Sequence, residues 1–391
     1  MNKALQQQLQ EDTAALAMEH GRRVGQPGHD IAIEYIRGRM EGIGLQPYIG
    51  ESFMLPYHGK GFRRTSSHAR YDQISLDMDE EEIWRQELTM ELNQEDSDPT
   101  WEEDSAEQSF CNLVGVIPGR DRSLPPLLVG AHYDSVIDAP CADDNATSVA
   151  LNLAIAEAFV NHPLERDLII AFFDAEEPPY FLGPCMGSNR FFEDHCADIQ
   201  FAGVIVTDLI GHDLDVSGGG NRFGGKIPGM GLATRHFKEF VFLMGAESDG
   251  VFPEVVEKVA DGRKGLRVLP TLNRYVGNMS DHHAFEQAGQ PFLFLSCAQG
   301  KYYHHPKDDL EWINFEKLAK ISEFVRDLLA QLDLTPAGNA PDAKDPYEFE
   351  SRMIQKAVGK PLSLLAKAFG HEIPKTRESI TRFVSNLRSM M

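Results

Sequence analysis

Apolar residues in this chain occur as short unbroken runs that alternate with stretches whose apolar positions recur every three to four residues. Residues 127–131 are one such run, fenced by Pro125 and Pro126, with the length and bounds of a buried strand. From Ala146 the apolar positions Val149, Leu153, Ala156 and Val160 fall at helical spacing, with Asn145 placed as an N-cap. Residues 166–173 form a second strand and deliver Asp174, Glu176 and Glu177 at its end. The same reading predicts helices over 4–20 and 28–43, the second carrying Ile31, Tyr35, Ile36 and Met40 and stopped by Gly44. It predicts strands over 112–117, 201–207 and 291–296, and helices over 187–195, 232–244 and 251–260. Asn314 caps a last helix with Phe315, Leu318, Ile321, Val325, Leu328 and Leu332 on its apolar side. Such alternation predicts an α/β fold: a three-layer helix/sheet/helix domain around a mostly parallel mixed central sheet.

Charge and composition then divide the chain. Residues 72–107 hold fifteen Asp or Glu against Arg85 alone, the pattern of a solvated acidic insertion peripheral to chemistry, or more sharply of an acidic lid that repels anionic substrates or docks a basic partner. A main domain spans 1–334, and the composition of 335–346 marks a linker. The tail, 347–391, inverts the balance with eight Lys or Arg against four Asp or Glu. Leu362, Leu365, Ala366 and Phe369, then Ile380, Phe383, Val384 and Leu387, predict two short amphipathic helices in a small C-terminal appendage. A segment so short buries little alone, so it should pack against the main domain or join copies into a homo-oligomer.

Over all 391 residues the formal net charge is -23, which argues against a nucleic-acid partner. No apolar run has the length of a membrane helix and the first residues lack a signal-peptide layout, so the expected location is the cytoplasm, away from membranes. Five cysteines without CxxC spacing argue for thiols over a disulfide framework. Cys141, near the acidic loop, is a ligand type that a chain this rich in carboxylates and histidines does not need.

Five residues stand out in order: His132, Asp144, Glu177, Asp208 and His304. Two imidazoles and three carboxylates, mostly at predicted strand ends where open α/β sheets place their sites, are what a pair of divalent ions requires. Asp134 is spaced to hold the second nitrogen of His132. Glu176 and Glu177 are neighbours on an extended segment and point in different directions, so one can bind metal while the other acts as a base.

The stretches GAHYDS, ADDNATS, FDAEE followed by Gly187-Ser188, VTDLIG, SDHHAF and YYHHPKDD resemble, in order, the motifs of the M28 family of dinuclear zinc aminopeptidases, over about residues 110–332. The resemblance implies two zinc ions, one held by His132 and Asp208, the other by Glu177 and His304, with Asp144 bridging. It implies Glu176 as general base and acid, Tyr303 as a stabiliser of the oxyanion, a cis peptide after Asp144, and peptides with a free N-terminus as substrates. Glutaminyl cyclases of the same family share several of these segments but use a single zinc; Asp143-Asp144-Asn145 and Tyr303 look more like the peptidases. A third reading, a peptidase-like scaffold without catalysis, would show a missing ligand or a replaced Glu176, and neither is seen. Pro178-Pro179, the acidic insertion and the basic tail depart from the family's pattern and bear on specificity.

Overall fold

One mixed sheet of nine strands carries the fold, in the order β1-β3-β5-β4-β6-β9-β7-β8, with β2 also paired to β3. The computed structural model describes residues 2–64, 101–214, 238–336, 346–359, 362 and 373–388. The strands are β1 (Gln46–Pro47), β2 (Met54–Arg64), β3 (Trp101–Ile117), β4 (Leu127–His132), β5 (Leu168–Phe173), β6 (Gly203–Thr207), β7 (Phe240–Met244), β8 (Arg267–Pro270) and β9 (Phe292–Ser296). Strands β5, β4, β6 and β9 run parallel as one block, while β3 joins β5, and β7 joins β9, in antiparallel sense.

Alternate side chains of the central strands feed two cores, as a pleated sheet requires. Leu127, Val129, Ile170 and Ile205 face the helices α1 (Lys3–Leu16), α2 (Pro27–Ile43), α3 (Thr147–Val160), α5 (Phe252–Ala260) and α8 (Phe315–Asp333). Leu128, Ile169, Ala171 and Val204 face the other way, onto Phe191 of α4 (Gly187–Phe191) and Phe285 of α7 (His282–Gln287). The three-layer α/β class expected from the alternation is the one found. Among the described residues no helix is long and apolar enough to cross a membrane.

Several elements differ from the sequence expectation. Residues 240–244, predicted as the end of a helix, form β7, because the run FVFLM is buried between two neighbouring strands; residues 232–237 of that predicted helix lie outside the described residues. β2 and β8 were not anticipated: β2 contains Pro56 and Gly59, and β8 is four residues long. β3 begins at Trp101, so residues 101–107 of the predicted insertion are strand, with Glu107 registered opposite Lys60. An opposite charge facing it across the ladder lets this acidic position fit a strand. The rest of the insertion, 72–100, lies outside the described residues.

Asn145 does not cap α3. That helix starts at Thr147 with no side-chain cap, and the Asn145 amide donates instead to the carbonyl of Thr207, tying the start of α3 to β6. Asn314 does cap α8, accepting from the N–H of Lys317. In the tail the described helices are α9 (Tyr347–Val358) and α10 (Arg377–Arg388); of the first predicted helix only Leu362 is described. α9 packs on β8 and α5, and Ile354, Leu362, Ile380 and Phe383 join Phe240 and Leu269 in one apolar cluster. Arg377 forms an ion pair with the buried Glu350, and Tyr275 Oη lies 2.6 Å from Thr381 Oγ1, which fixes α10 beside α6 (Asn273–Val276).

Candidate metal centre

Strand register brings the predicted residues to one level. His132 ends β4 and pairs with Phe173, so the loop carrying Glu176 and Glu177 leaves the sheet beside it. On the other side Gly130 pairs with Val206, which puts Asp208 level with His132. β9 lies next to β6 and leads into the loop that carries His304. The wide turn at Ala142–Ala146 then swings Asp144 over the strand ends, and its peptide bond to Asn145 is cis.

The side chains meet in a buried cluster. His132 Nε2 lies 3.4 Å from Asp144 Oδ1, 3.5 Å from Asp208 Oδ1 and 3.8 Å from Glu176 Oε2. His304 Nε2 lies 3.3 Å from Asp144 Oδ2 and 3.3 Å from Glu177 Oε2. Asp144 therefore turns one oxygen to each imidazole. By ligand-atom proximity the cluster divides into His132, Glu176 and Asp208, and His132, Asp144 and Glu177. Glu176, expected as a base, thus joins a candidate ligand group, yet at 3.8 Å from His132 it stands farther off than Asp144 and Asp208 do.

Asp134 lies beneath both groups. Its Oδ1 is 3.4 Å from His132 Nδ1, and its two oxygens accept the N–H of Glu176 and of Glu177, each at 3.1 Å. Tyr303 rests its ring on that of His304, with centroids 3.6 Å apart. Cys141 is buried beside the loop and belongs to neither cluster of ligand atoms. Four loops of the site hold a non-glycine residue in the left-handed region: Cys141 at φ 43°, Ala175 at φ 54°, Leu209 at φ 52° and His304 at φ 54°. Such backbone strain collects where the surroundings over-determine a functional geometry.

The donor set suits a divalent ion. Two ligand atoms held about 2.0–2.1 Å from a tetrahedral ion stand roughly 3.3–3.4 Å apart. The imidazole–carboxylate pairs at 3.3 to 3.5 Å have that spacing. His132 Nε2, Glu177 Oε1 and Asp208 Oδ1 are buried and have no hydrogen-bond partner, a costly state that a cation relieves.

Electrostatics point the same way. Burial first, then Glu177 and Asp208 against the pull of His132, holds Glu176 well above the carboxylate range. Burial and Asp144 push Glu177 up to about 7. Burial also raises Asp208, against the pull of His132. Asp144 moves down despite its burial, because His132 and His304 flank it. Burial alone would lower His304, but Glu177 and Asp144 carry it up to about 10. So many buried carboxylates ionise together only with positive charge among them.

Three further groups lay hidden in the sequence. Asp308 accepts the N–H of Asp143 at 2.9 Å and of Asp144 at 3.1 Å. Asp143 in turn accepts from Gly211 N–H and pairs with His212 Nδ1, both at 2.6 Å, which links the Asp144 turn to the loop after Asp208. Asp281 is buried near Asp208 and is pushed up to about 7, mainly by burial. Arg22 is fully buried below the His132 and Asp144 loops. Asp281 and Asp308 sat inside quoted motifs, whereas Arg22 carries no local signal beyond the glycines around it.

A sheet that gathers imidazoles and carboxylates at its carboxyl edge has the arrangement of a metal-dependent α/β enzyme. Residues 112–329, more than half of the chain, match peptidase family M28, and the chain belongs to that family. Aminopeptidase YwaD of Bacillus subtilis (strain 168) is 24% identical over 226 residues, which cover 56% of this chain and 44% of that protein. The chain spans less than two-thirds of the length of the first curated relatives it matches. Among solved structures, the aminopeptidase from Aneurinibacillus sp. strain AM-1 has a TM-score of 0.57 at 14% identity, covering 87% of this chain and 96% of that one. The glutaminyl cyclase of Bacteroides thetaiotaomicron has a TM-score of 0.53 at 13% identity, covering 83% and 97%. At these identities the likeness is one of fold.

Proposed function

We propose that the chain is a zinc-dependent exopeptidase that removes N-terminal amino acids from peptides, using two zinc ions. One observation carries this reading: Asp144 directs one oxygen towards His132 and the other towards His304, at 3.4 and 3.3 Å, as a shared ligand between two ions would. His132 and Asp208 would hold one zinc, Glu177 and His304 the other. Bound there, zinc supplies a Lewis acid that makes water a nucleophile near neutral pH and polarises a carbonyl.

The chain's own groups do the rest. Glu176 takes a proton from the attacking water on its carboxylate and passes it to the departing amine, serving both transfers. Asp134, through the N–H groups of Glu176 and Glu177, keeps the two adjacent carboxylates in fixed and different directions. The Tyr303 hydroxyl donates to the developing oxyanion, with its ring steadied by His304. The buried negative charge favours a substrate that presents an α-ammonium group, hence a free N-terminus. We place the protein in the cytoplasm, a reading supported by five cysteines that lie among the described residues without a disulfide between them.

The second reading is a single-zinc glutaminyl cyclase, which the motifs shared with cyclases favour. Amino-acid arylamides and N-terminal glutaminyl peptides, assayed side by side with added zinc, separate the two. Arylamide hydrolysis supports the exopeptidase. Cyclisation of glutaminyl peptides without hydrolysis supports the cyclase, and silence on both contradicts each.

A further inference from the structure

The segment between α1 and α2 lies outside residues 112–329, yet it reaches under the site. Arg22 in that segment is 0% exposed. Its Nε donates to the carbonyl of Tyr133 at 2.8 Å. One terminal nitrogen donates to the carbonyls of Leu16 and Pro140, each at 2.8 Å. The other donates to Cys141 at 2.9 Å and Asp144 at 3.3 Å. A guanidinium has five N–H donors. All five end on backbone carbonyls, and the Arg22 main-chain N–H goes to Ser135 Oγ at 2.7 Å.

The carbonyls chosen are not random along the chain. Tyr133 stands between His132 and Asp134, and Asp144 is the residue that faces both imidazoles. The cation therefore gathers the two stretches whose separation sets the His132–Asp144 gap. Its neighbour Gly21 completes the contact: at φ +63°, a Cβ there would lie 2.4 Å from Ile137 O and 2.9 Å from Ala139 N. Only glycine allows so close an approach in that conformation. Positive charge without a paired carboxylate also sits under the buried acids, where Asp144, Asp308 and Asp134 feel it.

We propose that Arg22 is a positioning residue of the metal centre, a buried clamp that fixes the His132 and Asp144 loops at the spacing the metal needs. The inference rests on the two-zinc reading above. A lysine keeps the charge but has three donors on a compact ammonium, so it leaves carbonyls of the two loops unserved.

The test is zinc affinity by chelator competition, alongside thermal unfolding of the metal-free chain, for wild type, Arg22→Lys and the core variant Val256→Ala. Val256 is buried in α5, which packs on α8 and α9 away from the ligand loops, so it reports a loss of stability alone. Arg22→Lys should weaken zinc binding by about 10- to 100-fold, the range for groups that orient metal ligands. Val256→Ala should bind as wild type does even where it unfolds earlier. If Arg22→Lys fails to fold, Ser135→Ala loosens the same junction, and about a fivefold loss is expected from one hydrogen bond. Wild-type affinity in the folded Arg22 variant, in Ser135→Ala where that stands in, or an equal loss in Val256→Ala, overturns this inference alone. A wild-type chain that takes up no zinc overturns the reading of the site and this inference with it.

Discussion

Asp134 holds the backbone of Glu177: its Oδ2 accepts that residue's N–H at 3.1 Å, while its Oδ1 accepts from Glu176 and lies 3.4 Å from His132 Nδ1. One carboxylate thus sets the imidazole of one strand end and both glutamates of the next. Asp134→Asn keeps the shape but replaces one acceptor oxygen with an NH₂ that faces an N–H. Zinc affinity should fall by about 10- to 100-fold, read by chelator competition. Unchanged affinity would show that the glutamates hold their directions without it.

Glu176 is the residue whose role is most open to challenge, since its carboxylate comes within ligand distance of His132 and Asp208. Glu176→Gln removes the proton acceptor and keeps the size. We expect kcat to fall by about 10²- to 10⁴-fold, the usual contribution of a general acid–base group, with zinc content unchanged. Loss of a zinc from the Glu176→Gln chain would reassign Glu176 as a ligand.

A separate effect concerns stability at low pH. His282 is buried between aromatic rings, with centroids 4.2 Å from Phe294 and 5.4 Å from Phe292, and burial lowers its pKa to about 3. The folded pKa lies below the unfolded value near 6.5, so the stability it contributes is complete above that value and is lost as pH falls towards 3. Between pH 7.5 and 5.5 the unfolded chain gains a proton on this residue that the folded chain refuses, worth about 1.4 kcal/mol. His282→Gln should reduce the fall in unfolding free energy over that interval by about this amount, measured in urea at the two pH values. An identical fall in both proteins would contradict it.

The positions of His132, Glu177 and Asp208 were legible because each follows a short apolar run, and a buried parallel strand is the element that leaves the plainest local trace. Asp144 and His304 lie in a turn and an irregular loop that have no period, so residue type alone marked them and the motif resemblance gave them their roles. What stayed hidden is non-local. Arg22 meets Asp144 across 122 positions and Asp308 meets Asp144 across 164, contacts that no window on the chain contains. The β7 run misled for a different reason: five apolar residues buried on both faces fit a strand and a helix equally well.

The central claim is that Asp144 is shared by two ions. Titrating the metal-free chain with zinc, and counting tightly bound equivalents by elemental analysis after gel filtration, tests it directly. Two zinc per wild-type chain, one of them weakened in His304→Ala and both in Asp144→Ala, is the predicted result. A single tightly bound zinc in the presence of excess metal would contradict the account and favour the cyclase reading.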